Sequence, residues 1–476
     1  MPDQHSCVEV RYLEFTDILF VLFAGGFFLI YFALQASGYP RWFLCGLIAW
    51  CSAAFYAVWY PPALVLLLLH SLLVWQGGLW IARMRRTKHL TLARAIAGCL
   101  IFLSLAVLFF FKYFNFFAQT FLPAGSLLDL ILPVGISFYT FTAIGCYVDV
   151  LRGESPPVPS FSSALLLVAF WPHLAAGPIL RSRNILKNVD SPEHLTVANF
   201  QLSLLLIASG LVKKLLLADN IGSYVNWNID YGVSHLSILG AWSVVVGFAV
   251  QIYADFSGYS DMAIGFALLL GFKLPANFNY PYLATSVTDF WRRWHISLST
   301  WFRDYVYYPL GGNRHGLLRA CIAILVVFLL SGVWHGAGVG FIIWGVAHGL
   351  LLTLEKIFYK FYMRVPAFFR WFVTVFSILI LWAFFRLPAA QALTLIERLF
   401  AFSTFSLIEQ APYIQLPVWI FSSLLLIDHG LRPYRVSAEG FPELASRPFG
   451  LAAISILLPV AILFFGKDLP FIYFQF

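Results

Sequence analysis

The chain has 476 residues, 61% of them hydrophobic and 11% charged, with a formal net charge of +8 and a mean hydropathy of +0.82. That balance excludes an ordinary soluble domain, because too few polar residues remain to cover a water-facing surface, and it places the chain in a bilayer. Nucleic-acid binding is excluded as well, since it needs a basic face open to solvent and none is legible.

Apolar runs long enough to span, roughly 17–25 residues each, fall near 17–34, 42–60, 63–82, 95–111, 236–254, 318–334, 339–354, 371–386, 416–428 and 449–465. Shorter or polar-interrupted runs lie near 127–147, 161–180 and 202–217, so about ten to thirteen membrane segments are expected. The N-terminus lacks the basic region and small-residue cleavage site of a removable signal peptide, and the first run is expected to be a retained span. Arg83, Arg85, Arg86, Lys88 and Arg94 crowd one short loop, which the positive-inside rule assigns to the cytoplasm. Counting back through three spans puts the N-terminus on the opposite side, with Arg41 in the first inside loop.

Cys7, Cys45, Cys51, Cys99, Cys146 and Cys321 show no paired spacing and are expected to be packing residues, neither metal ligands nor disulfides. No regular repeat, low-complexity tract or long flexible linker divides the sequence, so one polytopic domain over 1–476 is the simplest organisation. Polar and Gly/Pro positions interleave with apolar segments over 130–315, and the catalytic motifs concentrate in 130–340. Irregular backbone at membrane depth is tolerated only where protein buries it or water reaches it, which predicts a cavity built from the middle of the chain.

Four patches there carry possible chemistry. Leu132-Pro-Val-Gly-Ile-Ser-Phe-Tyr-Thr-Phe141 is expected to be a kinked helix whose Ser137, Tyr139 and Thr140 satisfy freed carbonyls. In Phe170-Trp-Pro-His-Leu-Ala-Ala-Gly-Pro-Ile-Leu-Arg181 two prolines prevent a continuous helix, so the segment enters and turns. His173 within it reads as a histidine bonded locally at the break, while Arg181, Arg183 and Lys187 belong to the cytoplasmic surface. The third patch runs from Gln251 through Asn277-Phe-Asn-Tyr-Pro281 to Gly311-Gly-Asn-Arg-His315. Read as one helix, its 287–302 stretch puts Thr288, Arg292, His295 and Ser299 on one face and Trp291, Trp294, Leu298 and Phe302 toward another. Such a helix suits a cavity wall or a plain interfacial anchor. The fourth patch is Ser331-Gly-Val-Trp-His-Gly336, an imidazole flanked by small residues at bilayer depth, where an ionisable side chain is a functional-site hypothesis by default. A neutral imidazole there can take the proton of a hydroxyl that attacks an acyl carbonyl. No Gly-x-Ser-x-Gly elbow and no His-Glu-x-x-His zinc motif is present, which disfavours serine and zinc hydrolysis.

These residues closely resemble the membrane-bound O-acyltransferase (MBOAT) family, in particular its bacterial AlgI-like branch of alginate O-acetyltransferases. The matching segments are Leu132-Pro-Val-Gly-Ile-Ser-Phe, Pro172-His-Leu-Ala-Ala-Gly-Pro-Ile, Phe256-Ser-Gly-Tyr-Ser-Asp-Met-Ala-Ile-Gly, Phe290-Trp-Arg-Arg-Trp-His-Ile-Ser-Leu-Ser, Tyr308-Pro-Leu-Gly-Gly-Asn, Gly332-Val-Trp-His-Gly and the terminal Phe471-Ile-Tyr-Phe-Gln-Phe476. The resemblance implies an all-α polytopic fold, a ring of transmembrane and re-entrant helices around a central tunnel, in a bacterial inner membrane. It implies that the family's invariant histidine is His335 and that His295 takes its second conserved histidine or asparagine position. The donor would be a cytosolic acyl thioester, acetyl-CoA in this branch, with no permanently bound cofactor or metal. The acetyl group would pass to a periplasmic partner enzyme that modifies a polysaccharide.

In mechanism, His335 is the expected general base, and His295, a nearby arginine or a backbone amide would stabilise the oxyanion. Asp289, Arg292, Arg293, Ser299, Asn313 and Trp334 are candidate donor- or substrate-binding residues around the two histidines, with Arg181 at the donor's side. Three outcomes compete: acetylation of an exopolysaccharide such as alginate or cellulose; peptidoglycan O-acetylation or teichoic acid D-alanylation on the same fold; and, from another class, a polysaccharide or lipid transporter whose intramembrane His and Arg residues merely line a path.

Overall fold

A computed structural model of the chain describes residues 15–401, apart from 122, 124–126, 129, 175 and 194, together with 455 and 459. The expected span near 416–428, nearly all of 449–465, the terminal Phe471–Phe476 segment and Cys7 lie outside the described residues. In chain order the helices are α1 (Ile18–Ala36), α2 (Arg41–Trp59), α3 (Pro61–Arg86), α4 (Leu90–Phe121), α5 (Ile136–Arg152), α6 (Phe161–Ala169), α7 (Ser182–Asp190), α8 (Val197–Val212) and α9 (Asp219–Tyr231). They continue with α10 (Ile238–Leu269), α11 (Val287–Arg293), α12 (Ile296–Phe302), α13 (Gly316–His335), α14 (Val339–Ile357), α15 (Tyr359–Tyr362), α16 (Ala367–Arg386) and α17 (Ala389–Leu399). A π-helical stretch, Lys213–Ala218, joins α8 to α9, and another, Arg303–Tyr307, follows α12.

Among the described residues nine helices are long and apolar enough to cross a membrane, with α8 and α9 counted as one through their π segment, and no strand occurs. The protein is an all-α, multi-pass membrane protein. Large apolar side chains face outward on the spanning helices, as Leu318, Ile322 and Leu330 do on α13, where lipid replaces water as their solvent. Helix starts follow local chemistry: Asp17, Ser160, Thr196 and Ser237 each accept a hydrogen bond from a first-turn amide at α1, α6, α8 and α10.

Contacts divide the chain into two compact units, one of Met1–Phe111, Leu130–Ala175 and Leu180–Glu193, the other of Lys112–Asp129, Ala176–Ile179 and His194–Phe476. In the first, α2 packs on α6, and α3 packs on α5 and α6. The buried Trp171 ring lies against Phe20 and Phe27, and its backbone N–H donates to Ser52 Oγ at 3.2 Å. The expected kink near Gly135 is instead a helix start. Gly135 has φ +73, and a Cβ there would meet the Leu174 carbonyl oxygen at 2.3 Å, so glycine admits both the turn and the close approach. After α6 the chain breaks and turns, as its two prolines predict, and His173 Nδ1–H donates to the Phe170 carbonyl at 2.8 Å. Burial pushes the His173 imidazole down to about 4.

In the second unit α10 is the central helix: 83% of its most apolar window is buried, against 22–44% for the other eight candidate spans. It packs on α8, α9, α16 and α17, while α13 pairs with α14 and α14 with α16. Lys214 from the π segment reaches Asp219 at 3.0 Å and Asp255 at 3.1 Å, all three buried. Charges at that depth persist because each finds its opposite.

Candidate active site

α13 ends on His335. A helix leaves its last carbonyls without amide partners, and in apolar surroundings they require another donor. Lys112, on α4, supplies it: its ammonium donates to the carbonyls of Trp334 at 2.7 Å and His335 at 2.8 Å, and the Tyr113 hydroxyl donates to the carbonyl of Val333. A cation at a helix C-terminus also meets the negative end of the helix dipole. The apolar run read from the sequence stops near residue 111, whereas α4 continues to Phe121. A lone lysine inside Phe109-Phe-Phe-Lys-Tyr-Phe-Asn-Phe116 was the available signal.

The His335 ring is 4% exposed at the residue level. It is held edge-on by Trp344 and Phe385, both at 5.1 Å between centroids, and by Trp334 at 4.8 Å. Apolar walls on several sides hold the ring. Trp334 is near both histidines, with its centroid 6.2 Å from that of His295. A third imidazole, His348 of α14, was not singled out by sequence reasoning. It is buried, sits 4.9 Å from Trp344, and accepts from Trp291 Nε1–H at Nδ1, 3.3 Å away.

The expected single helix over 287–302 does not exist. α11 stops at Arg293, His295 adopts the left-handed backbone (φ 42, ψ 56), and α12 begins at Ile296. The cause is nonlocal. The amides of Ile296 and Ser297, which would otherwise bond back into α11, donate to the Asn277 carbonyl at 2.9 Å and to Asn277 Oδ1 at 3.2 Å. Asn279 N–H in turn donates to the Arg293 carbonyl at 2.9 Å. A non-glycine residue with positive φ stores backbone strain and persists only where its surroundings over-determine it, which is common at functional sites. His295 is fully buried, its ring 4.7 Å edge-on to Phe256, and desolvation pushes it down to about 3, so it is neutral at physiological pH.

The break separates the residues expected to share a face. Arg292 is exposed to the outside of α11. Arg293 pairs with Asp289 at 2.9 Å, and Asp289 Oδ2 also receives the Thr285 amide at 3.4 Å, so both brace the start of α11. Ser299 Oγ donates to the Trp294 carbonyl at 3.3 Å. Asn313 is exposed and accepts from Tyr307 at 2.8 Å and Lys356 at 2.7 Å. Arg181 belongs to the other unit, at the start of α7. The histidines, Trp334 and Lys112 are thus brought together, and the charged flank of the Trp-Arg-Arg-Trp-His motif is not part of that cluster. Among the described residues no three His, Cys, Asp or Glu side chains converge as a metal site would require.

A buried, aromatic-walled pair of imidazoles suits proton transfer at a group that must be kept from water. Comparison with known proteins gives the class. The membrane-bound O-acyltransferase family model matches residues 45–388, and the chain belongs to that family; it is an O-acyltransferase. It is 37% identical over 344 residues to "Probable alginate O-acetylase AlgI" of Pseudomonas aeruginosa, covering 69% of this chain and 66% of that protein. It is 34% identical over 419 residues to the peptidoglycan O-acetyltransferase of Helicobacter pylori, covering 80% and 78%. With the teichoic acid D-alanyltransferase of Bacillus subtilis it shares 30% identity over 270 residues, covering 54% and 67%. All three relatives are named for a polymer, and the enzyme class sets the transporter reading aside.

Proposed function

We propose that this protein moves an acetyl group from acetyl-coenzyme A on the cytosolic side of a bacterial inner membrane toward an exopolysaccharide such as alginate, through a periplasmic partner that completes the transfer. The observation that carries the reading is the burial of His335 and His295, each with its ring close to Trp334, within a chain 37% identical to a "Probable alginate O-acetylase AlgI".

His335 acts as general base. Its imidazole takes the proton of the acceptor hydroxyl as that oxygen forms a bond to the thioester carbonyl carbon. The tetrahedral intermediate then collapses with cleavage of the carbon–sulfur bond, and the departing thiolate receives the proton from the imidazolium. Apolar walls from Trp334, Trp344 and Phe385 keep the thioester from hydrolysis, and Lys112 holds the helix end that presents the ring.

The test is His335→Ala expressed as the only copy in the native host. Loss of polymer acetyl esters, with the membrane amount of the protein unchanged, is the expected result. Acetyl content near wild type would overturn His335 as the base. Analysis of alginate-type exopolysaccharide and of peptidoglycan from the same cells separates the two acceptors, and acetyl esters lost only from peptidoglycan would overturn the exopolysaccharide assignment.

A further inference from the structure

We propose that Asn277 is a positioning residue that locks His295 in its Nδ1–H tautomer and so presents Nε2 as a hydrogen-bond and proton acceptor, a role that presupposes His295 at the reaction centre as proposed above. Sequence reasoning did not include Asn277 among the site residues, and it lies 18 positions before His295, on the segment between α10 and α11.

The assignment follows from the donors around one oxygen. The Ser297 backbone N–H, which can only donate, lies 3.2 Å from Asn277 Oδ1. That fixes the oxygen end of the amide toward Ser297 and His295, since the reversed amide would set its NH2 against a backbone N–H. Ser297 Oγ lies 2.8 Å from the same Oδ1. Its lone pair already accepts the Ile179 amide at 3.0 Å, and of the two acceptors its proton can reach, Asn277 Oδ1 at 2.8 Å is much nearer than His295 Nδ1 at 3.5 Å, so the hydroxyl donates to Asn277. The third neighbour of Oδ1 is His295 Nδ1, at 3.2 Å. An amide oxygen has only lone pairs to offer, so Nδ1 must carry the hydrogen. The other end of the amide is also fixed, with Asn277 Nδ2 donating to Ser260 Oγ of α10 at 3.3 Å.

In a neutral imidazole one nitrogen donates and the other accepts. With Nδ1–H committed to Asn277, Nε2 keeps its lone pair. Such a His295 is not an oxyanion donor while neutral, which leaves that expected role to an arginine or a backbone amide. It can accept from an acceptor hydroxyl and orient that group. Asn277 acts on backbone and ring together: its main-chain carbonyl takes the Ile296 amide at 2.9 Å, which holds the left-handed turn that points the ring inward. Asn277 is 1% exposed, so bulk water does not substitute for it.

The experiment uses inverted membrane vesicles from the native host carrying each variant as the sole copy, with acetyl-coenzyme A as probe and coenzyme A release as readout, normalised to the amount of protein in the membrane. Asn277→Leu keeps the volume and removes the acceptor. It should lower kcat by about 100-fold, the order expected for a misplaced catalytic group, with KM for acetyl-coenzyme A little changed. Asn277→Asp keeps an oxygen at Oδ1 and should retain most of kcat; this arm stands even where the leucine variant fails to accumulate. In a His295→Ala background Asn277→Leu should cost little more, because the two residues act as one unit. Equal loss in the Asp and Leu variants, or additive losses in the double variant, would show that Asn277 only packs and would overturn the proposal. His295→Ala with wild-type turnover would instead overturn the placement of His295 at the reaction centre.

Discussion

At the scale of single residues, the site owes its shape to groups that carry no catalytic signature. Lys112 donates to the last two carbonyls of α13, so its removal leaves strong acceptors unpaired in apolar surroundings. Lys112→Met should lower stability by about 2 kcal/mol, the scale of a hydrogen bond to a charged group plus an unmet acceptor. Turnover should fall as well, since Trp334 and His335 ride on that helix end. Thermal unfolding in detergent beside vesicle activity checks this, and an unchanged midpoint would mean that the ammonium contributes nothing net. His335 was legible in the sequence because an imidazole between small residues in an apolar run has few bland explanations. His348 was not, and Asn277 was read only as part of a longer patch with no role of its own, since one polar residue on a helix or loop acquires meaning only from what the fold brings to it.

At the scale of elements, α13 and α14 approach so closely that side chains are excluded from the contact. A Cβ on Gly345 would stand 2.3 Å from the Phe328 carbonyl oxygen and 3.1 Å from Gly332 Cα, and a Cβ on Gly332 would stand 2.4 Å from the Phe341 carbonyl oxygen. Backbone cannot yield as a side-chain tip can, so the helices would have to part. Small residues at helix interfaces serve this purpose in membranes, where burial of apolar area gives little drive to associate. Gly345→Leu should therefore destabilise the pair by about 1–3 kcal/mol or more and displace Trp344 from His335, with activity lost even where protein still accumulates. Normal activity and an unchanged unfolding midpoint would show that the pair tolerates separation. The spans themselves were legible from apolar run length, because a bilayer imposes that length. The break at His295 was not: the apolar positions of 287–302 keep helical spacing across it, and the interruption comes from Asn277, which competes for the amides from outside the segment.

At the scale of the whole molecule, charge placement sets the expected orientation. In the first unit Arg83, Arg85 and Arg86 occupy the last turn of α3, and Lys187 lies in the last turn of α7. In the second unit Arg314, Arg319, Lys356 and Lys360 gather at one end of the α13–α14 pair, and His335 ends α13 at the other, about 30 Å away at 1.5 Å per residue. The positive-inside rule assigns all these basic stretches to the cytoplasm. Cysteines placed at 88, 183 and 314 should resist an impermeant thiol reagent applied to intact spheroplasts and react after lysis. Labelling of any of them from outside would reverse the proposed sidedness of donor entry.

The left-handed turn at His295 has a consequence for how this position can drift over evolutionary time. β-Branched and bulky side chains are strongly disfavoured at φ 42, ψ 56, whereas glycine, asparagine, aspartate and histidine are admitted far more readily. The alphabet open to position 295 is therefore short and mostly polar before any demand of chemistry is imposed. A neutral hydrogen-bonding group at this buried point is favoured by main-chain geometry alone, and selection for acyl transfer has only to choose among a few letters.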